Sequence, residues 1–127
     1  MWDPLRRKEV ADTPEERVRQ WFIGVLAEAG CPMGLMGSEV QLKLGSKSLR
    51  ADIVVYGRNG SPVTVVECKR PDVSISKETA EQALRYHSVL GVRFICLTNG
   101  NNTYIYRRGE NGAFTAMDRI PSYQEML

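Results

Sequence analysis

Hydrophobic positions recur every three or four residues early in the chain: Val18, Phe22, Val25, Leu26 and Ala29 fall on one face of a helix. Its start is written in Thr13-Pro14-Glu15-Glu16, with Thr13 as N-cap, Pro14 at the first helical position and Glu16 placed to close a capping box. Gly30 and the Cys31-Pro32 break stop it near Ala29. From Glu39 the period falls to two, with Val40, Leu42 and Leu44 alternating with polar residues, and Gly45-Ser46 turns the chain into a second strand over 49–56. Asn59-Gly60, both tolerant of positive φ, predicts a hairpin into a third strand over 63–69. Val63-Thr64-Val65-Val66 is apolar or β-branched on both faces, as expected of a strand in the sheet centre, and Pro71 ends it.

Ser76 can cap a second helix reaching about Leu90, closed by Gly91, before a nearly continuous apolar strand over 92–98. Strand, helix and strand in that order imply a right-handed parallel crossover. A turn over 99–102, a strand over 103–108, a turn over 109–112 and a short strand around Phe114 complete the chain. The expected fold class is therefore α/β: a central mixed β-sheet flanked by helices. Residues 1–12, with the Arg6-Arg7-Lys8 run, read as a peripheral, solvated segment.

Composition narrows the picture. At 127 residues the chain is expected to form one domain, 1–127. The net charge of +2 announces no polyanion partner by itself. Between Leu42 and Arg70, however, six cations (Lys43, Lys47, Arg50, Arg58, Lys69, Arg70) face two carboxylates (Asp52, Glu67), a local excess suited to phosphate contacts. Three cysteines without CxxC spacing suggest neither a disulfide framework nor a zinc ribbon, and the single histidine, His87, cannot build a zinc site. The apolar run at 21–27 is far short of the roughly 20 residues that span a bilayer. With no signal peptide read at the start, no membrane partner and a cytoplasmic location are expected.

Charges intrude where strands should be apolar. Glu67 and Lys69 alternate with Cys68, so they share one strand face about 6.6 Å apart along the chain. A hairpin register pairing Tyr56 near Val63 brings Asp52 close to Glu67, so that two carboxylates and one amine converge. Carboxylates held side by side repel, and a divalent cation relieves that cost; hard oxygen ligands favour magnesium or manganese over zinc. Lys69, a compact point charge, could position an attacking water or neutralise a crowded phosphorus centre. Phosphodiester hydrolysis is the reaction those parts suit.

The ordered set of Thr13-Pro14-Glu15-Glu16-x-Val18-Arg19-Gln20, Arg50-Ala51-Asp52-Ile53-Val54-Val55-Tyr56, Val65-Val66-Glu67-Cys68-Lys69, Gln82-Ala83-Leu84-Arg85-Tyr86 and Leu97-Thr98-Asn99-Gly100 resembles the PD-(D/E)xK nuclease superfamily. More closely it is similar to the N-terminal nuclease domain of type I restriction enzyme R subunits, over about residues 13–123. The resemblance implies a restriction-endonuclease-like fold and an Mg2+- or Mn2+-dependent endodeoxyribonuclease. It implies Asp52 and Glu67 as metal ligands, the Cys68 backbone carbonyl as a further ligand and Lys69 as the catalytic amine.

It also implies a supporting glutamate on the first helix. Glu15, in line with Val18 and Phe22, fits better than Glu16, which the capping box claims. Gln82 and Tyr86 match a Gln-x-x-x-Tyr motif, and their spacing puts them on one helix face, to contact DNA phosphate or to hold Lys69. Ala51 replaces the proline of the motif and leaves the ligand intact. The implied partners are DNA and the motor, methylation or specificity subunits of a restriction system, with a homodimer as a further possibility.

The motor of such subunits cannot fit in 127 residues, and Gly45-Ser46-Lys47-Ser48 lacks the upstream glycine of a phosphate loop. The alternative function is a binding module that keeps the nuclease fold with weak or no catalysis. Outside the site, Cys96 reads as a buried strand residue, Trp2 and Trp21 as core or packing residues, and His87 as a surface or partly buried one.

Overall fold

In the computed structural model, which describes residues 1–127, Thr13 begins the first long helix as its sequence dictates. Helix α1 spans Pro14–Glu28, and Thr13 Oγ1 accepts the Glu16 backbone N–H at 3.1 Å. The predicted capping box is only half formed, because the Glu16 carboxylate turns instead to Arg6, Arg19 and Gln20. Before α1, residues 1–12 are not simply solvated. Two-residue strands β1 (Trp2–Asp3) and β2 (Lys8–Glu9) form a small hairpin.

That hairpin is pinned by Asp3, which is buried and accepts hydrogen bonds from Ser38 Oγ, the Arg6 guanidinium and the backbone N–H of Leu5 and Arg6. Burial alone would raise the Asp3 carboxyl, but those donors outweigh it and bring it down to about 2. A carboxylate so lowered contributes stability that is complete above its ordinary value of 3.8 and lost as the pH falls toward 2. Asp3→Asn is accordingly expected to cost about 1–2 kcal/mol at neutral pH. In urea titrations it should also flatten the loss of stability between pH 4 and pH 2.

The strands β3 (Met36–Leu44), β4 (Lys47–Tyr56), β5 (Pro62–Cys68), β6 (Phe94–Thr98), β7 (Thr103–Arg108) and β8 (Phe114–Met117) lie side by side in chain order. Only β5 and β6 pair in parallel, across helix α2 (Lys77–His87), so the sheet is mixed with one crossover. The β4–β5 register is the one the sequence suggested as far as Ile53↔Val66 through Val55↔Thr64, then slips by one at a bulge that seats Tyr56 opposite Pro62. The connection runs through Gly57 to Ser61 rather than a two-residue turn, and only Gly60, at φ 84°, uses positive φ. Several boundaries also move. Strand β3 begins before Glu39, β5 ends before Lys69, and α2 gives way at Ser88 to a short 3-10 turn.

Helix α1 covers one sheet face. Its Val18, Phe22, Ile23 and Leu26 pack on Ile53, Val55, Val66, Cys68, Phe94 and Cys96, with the short C-terminal helix α3 (Tyr123–Met126) closing the layer. Helix α2 lies on the other face, over Ala51, Val54, Val65, Leu97 and their neighbours. Cys96 is buried as expected, but Trp21 and Trp2 are 47% and 56% exposed and are not core residues. No helix is long and apolar enough to cross a membrane.

Candidate active site

Strand alternation should send Asp52 to the α2 face together with Val54. It does not hold there. Ser38 and Ile53 serve the α1 face, bonded to buried Asp3 and packed under α1 respectively, while Val40 and Ala51 pack on the α2 side. The Glu39 and Asp52 positions between these pairs are skipped by the β3–β4 ladder, and Glu39 takes φ 52°, a left-handed conformation that a non-glycine residue rarely adopts. This kink frees the Asp52 side chain from the pleat.

Asp52 is then fixed from two sides. Its Oδ2 accepts the backbone N–H of Cys68 at 2.7 Å, which ties it to the strand carrying Glu67, and its Oδ1 accepts Arg19 Nη2 at 2.9 Å. Glu67, opposite Asp52 if the β4–β5 register is continued by one pair, belongs to the other layer. Its Oε2 stands 3.8 Å from Lys69 Nζ and its Oε1 3.8 Å from His87 Nε2. The histidine separation is too long for a hydrogen bond. His87 nevertheless comes first in holding the half-buried Glu67 carboxyl below the usual range, against the opposing effect of burial and with help from the Lys69 charge.

Lys69 lies just past the end of β5, its backbone N–H bonded to the Thr98 carbonyl at 2.8 Å. The Cys68 side chain points into the α1 core, and burial, with the Asp52 charge second, pushes its thiol up. Only its backbone therefore faces the chemistry.

Sequence-predicted residues are thus brought together in two pairs, Asp52 with the Cys68 amide and Glu67 with Lys69, and the two carboxylates share no partner. No group of three or more His, Cys, Asp or Glu side chains is arranged to hold a metal ion. The donor chemistry itself fits a hard divalent cation, since carboxylate oxygens and a backbone carbonyl on adjacent strands are what such ions take. Glu15 lies near Asp52 through Arg19, bonded at 3.3 Å, whereas Glu16 is buried in a structural network. Glu15 and Arg19 open into a cleft of about 680 Å³ that Lys8, Glu39 and Arg70 also line. Gln82 and Tyr86 both lie on the exposed side of α2, Tyr86 at 49%, and Tyr86 borders a recess with Glu39 and Arg50 rather than holding Lys69.

Three residues of this neighbourhood were not candidates from the sequence: Arg19, Glu39 and His87. Arg19 had a readable signal, because it stands in the buried stripe of α1 with Phe22 and Leu26, where a charge needs partners. His87, expected at the surface or partly buried, is instead wholly buried, at 0% exposure with both ring nitrogens unpartnered.

A family model described as the N terminus of type I restriction enzyme R proteins matches residues 14–121. No curated protein is a match. Among solved structures, a fragment described as a candidate HsdR subunit of a type I restriction enzyme from Vibrio vulnificus YJ016 superposes with a TM-score of 0.63 and 23% identity, over 93% of this chain and 25% of that one. A protein from Anabaena variabilis ATCC 29413 described as a candidate nuclease superposes with a TM-score of 0.54 and 17% identity, over 89% of this chain and 72% of that one. These two likenesses establish the restriction-nuclease-like fold; the chain spans about a quarter of the first protein's length.

Proposed function

The chain belongs to the family of type I restriction enzyme R protein N termini, and from that premise we propose that it is a metal-dependent DNA endonuclease domain. The observation that carries the proposal is the Asp52–Cys68 hydrogen bond of 2.7 Å, which anchors one carboxylate a single residue from Glu67 while Lys69 stands 3.8 Å from Glu67. Asp52, Glu67 and the Cys68 carbonyl would hold magnesium or manganese, which supplies polarisation of a phosphoryl oxygen and an activated water. Lys69 positions that water and offsets negative charge gathering on the phosphate. Glu67 fixes the Lys69 ammonium by its own charge.

Glu15 supports the site from α1. Gln82 and Tyr86, exposed on α2, contact the DNA backbone, and Arg70 and Lys8 at the cleft supply sequence-independent attraction. In a restriction system the domain would work with motor, methylation or specificity subunits, and pairing of two nuclease domains would turn a nick into a double-strand break.

The Arg19 bridge to Asp52 is the observation that favours a second reading, a nucleic-acid or protein-binding module with negligible turnover. Supercoiled plasmid separates the two. The expected result is conversion to nicked or linear DNA with Mg2+ or Mn2+ and none with EDTA. Intact plasmid under every metal condition would overturn the endonuclease reading. A panel of duplex DNA, single-stranded DNA and RNA reads out the substrate, with duplex DNA expected to be cut fastest.

A further inference from the structure

Three carboxylates from three different elements converge on one nitrogen atom. Arg19 Nη2 lies 3.3 Å from Glu15 Oε1 on α1, 3.0 Å from Glu39 Oε1 on β3 and 2.9 Å from Asp52 Oδ1 on β4. Its Nη1 lies 2.5 Å from Glu16 Oε1, its side chain is 4% exposed, and its Nε has no partner. The guanidinium therefore occupies the Asp52 oxygen that a bound cation would need. Arginine keeps its charge at any ordinary pH, so it cannot yield that position by losing a proton.

We propose that Arg19 acts as an internal counter-ion that keeps Asp52 closed, and that a divalent ion is accepted only as Asp52 exchanges Arg19 for it. This rests on the metal-dependent reading above and adds to it the residue that sets how readily the site loads.

The neighbouring ion pairs make the exchange feasible. Glu16 also binds Arg6 and Gln20, and Glu39 also binds Arg50, so both remain partnered when Arg19 swings away. Asp52 keeps the Cys68 amide throughout and so stays aimed at the strand that bears Glu67. Five carboxylates (Asp3, Glu15, Glu16, Glu39, Asp52) are shared by three arginines (Arg6, Arg19, Arg50), which leaves the cluster two negative charges in excess and receptive to further positive charge. A guanidinium and a divalent ion on the same carboxylate repel each other, and for that reason binding of one opposes binding of the other.

The test is Mn2+ binding to the whole chain by titration calorimetry, independent of any cleavage. Arg19→Gln is expected to bind Mn2+ at least about tenfold more tightly than the parent, equivalent to about 1.4 kcal/mol. Arg19→Lys covers the case in which the neutral variant fails to fold. A single ammonium cannot serve Glu16 and Asp52 together as the fork does, so this variant is also expected to bind more tightly than the parent, by a smaller factor. Affinity that is unchanged or weakened in the folded variants overturns the counter-ion role while leaving the endonuclease reading standing. Adding Asp52→Asn to either variant should abolish the gain. A gain that survives it places the ion away from Asp52, and absence of Mn2+ binding in every protein removes the ion that both readings require; either outcome overturns both readings.

Discussion

Glu67→Gln leaves the fold intact and removes metal-dependent DNA cleavage by about a thousandfold or more. The replacement is nearly isosteric, and although His87 and Lys69 hold the half-buried Glu67 carboxyl below its usual range, both stand at 3.8 Å and neither is within a strong hydrogen bond, so the cost in stability is modest. Its charge is what the proposed chemistry uses twice, as a ligand to a hard cation and as the partner that holds the Lys69 ammonium. Each 1.36 kcal/mol of lost transition-state stabilisation is tenfold in rate, and a missing ligand on a catalytic metal withdraws several kcal/mol. The measurement is the initial rate of plasmid nicking in saturating Mg2+, alongside a urea titration showing a midpoint within a few tenths of a molar of the parent's. Cleavage by the variant at the parent rate would remove Glu67 from the mechanism.

Phe22→Ala produces the largest expected change in stability. Phe22 is wholly buried in the layer where α1 meets Ile53, Val55, Val66 and Phe94, and truncating a buried phenylalanine costs about 3–5 kcal/mol through lost transfer energy and the cavity left behind. That is a large fraction of the roughly 5–15 kcal/mol by which domains are stable. The expected observation is a urea midpoint lowered by one-third or more with an unchanged slope. Trp21→Ala, one position earlier and 47% exposed, should shift the midpoint little. The contrast also bears on the site, because the same helix face carries Arg19 into its carboxylate cluster. Weakening the α1 layer should therefore loosen the hold of Arg19 on Asp52 and raise Mn2+ affinity in the folded protein while stability falls, whereas Trp21→Ala should change neither.

Much of the architecture was legible because it is local. Periodicity and punctuation placed α1, the β3–β4–β5 meander, α2 and the strands after it. The β4–β5 register read from the hairpin agrees with the structure from Ile53↔Val66 to Val55↔Thr64, although the turn is longer than two residues and a bulge seats Tyr56 opposite Pro62. The cap at Thr13 was readable for the same reason, since its bond to the Glu16 N–H spans three residues. The companion half of the capping box was misread because Glu16 found stronger, charged partners in Arg6 and Arg19. Asp3 and His87 became buried because their own segments, the N-terminal hairpin and α2, pack against parts of the chain distant in sequence.

The sequence by itself determined which strands carry the candidate groups, the order of the helices around them and the types of group available: two carboxylates, an amine and hard oxygen donors. Only the tertiary structure decided what those groups touch. The Arg19–Asp52 pair joins residues 33 apart, and the kink at Glu39 and Asp52 turns one carboxylate toward α1 while Glu67 stays beside α2. Side-chain alternation is a property of a single regular strand, so composition and spacing convey it faithfully. An ion pair between layers depends on how a helix lies across a distorted sheet, and that relation arises only when all the elements are packed together.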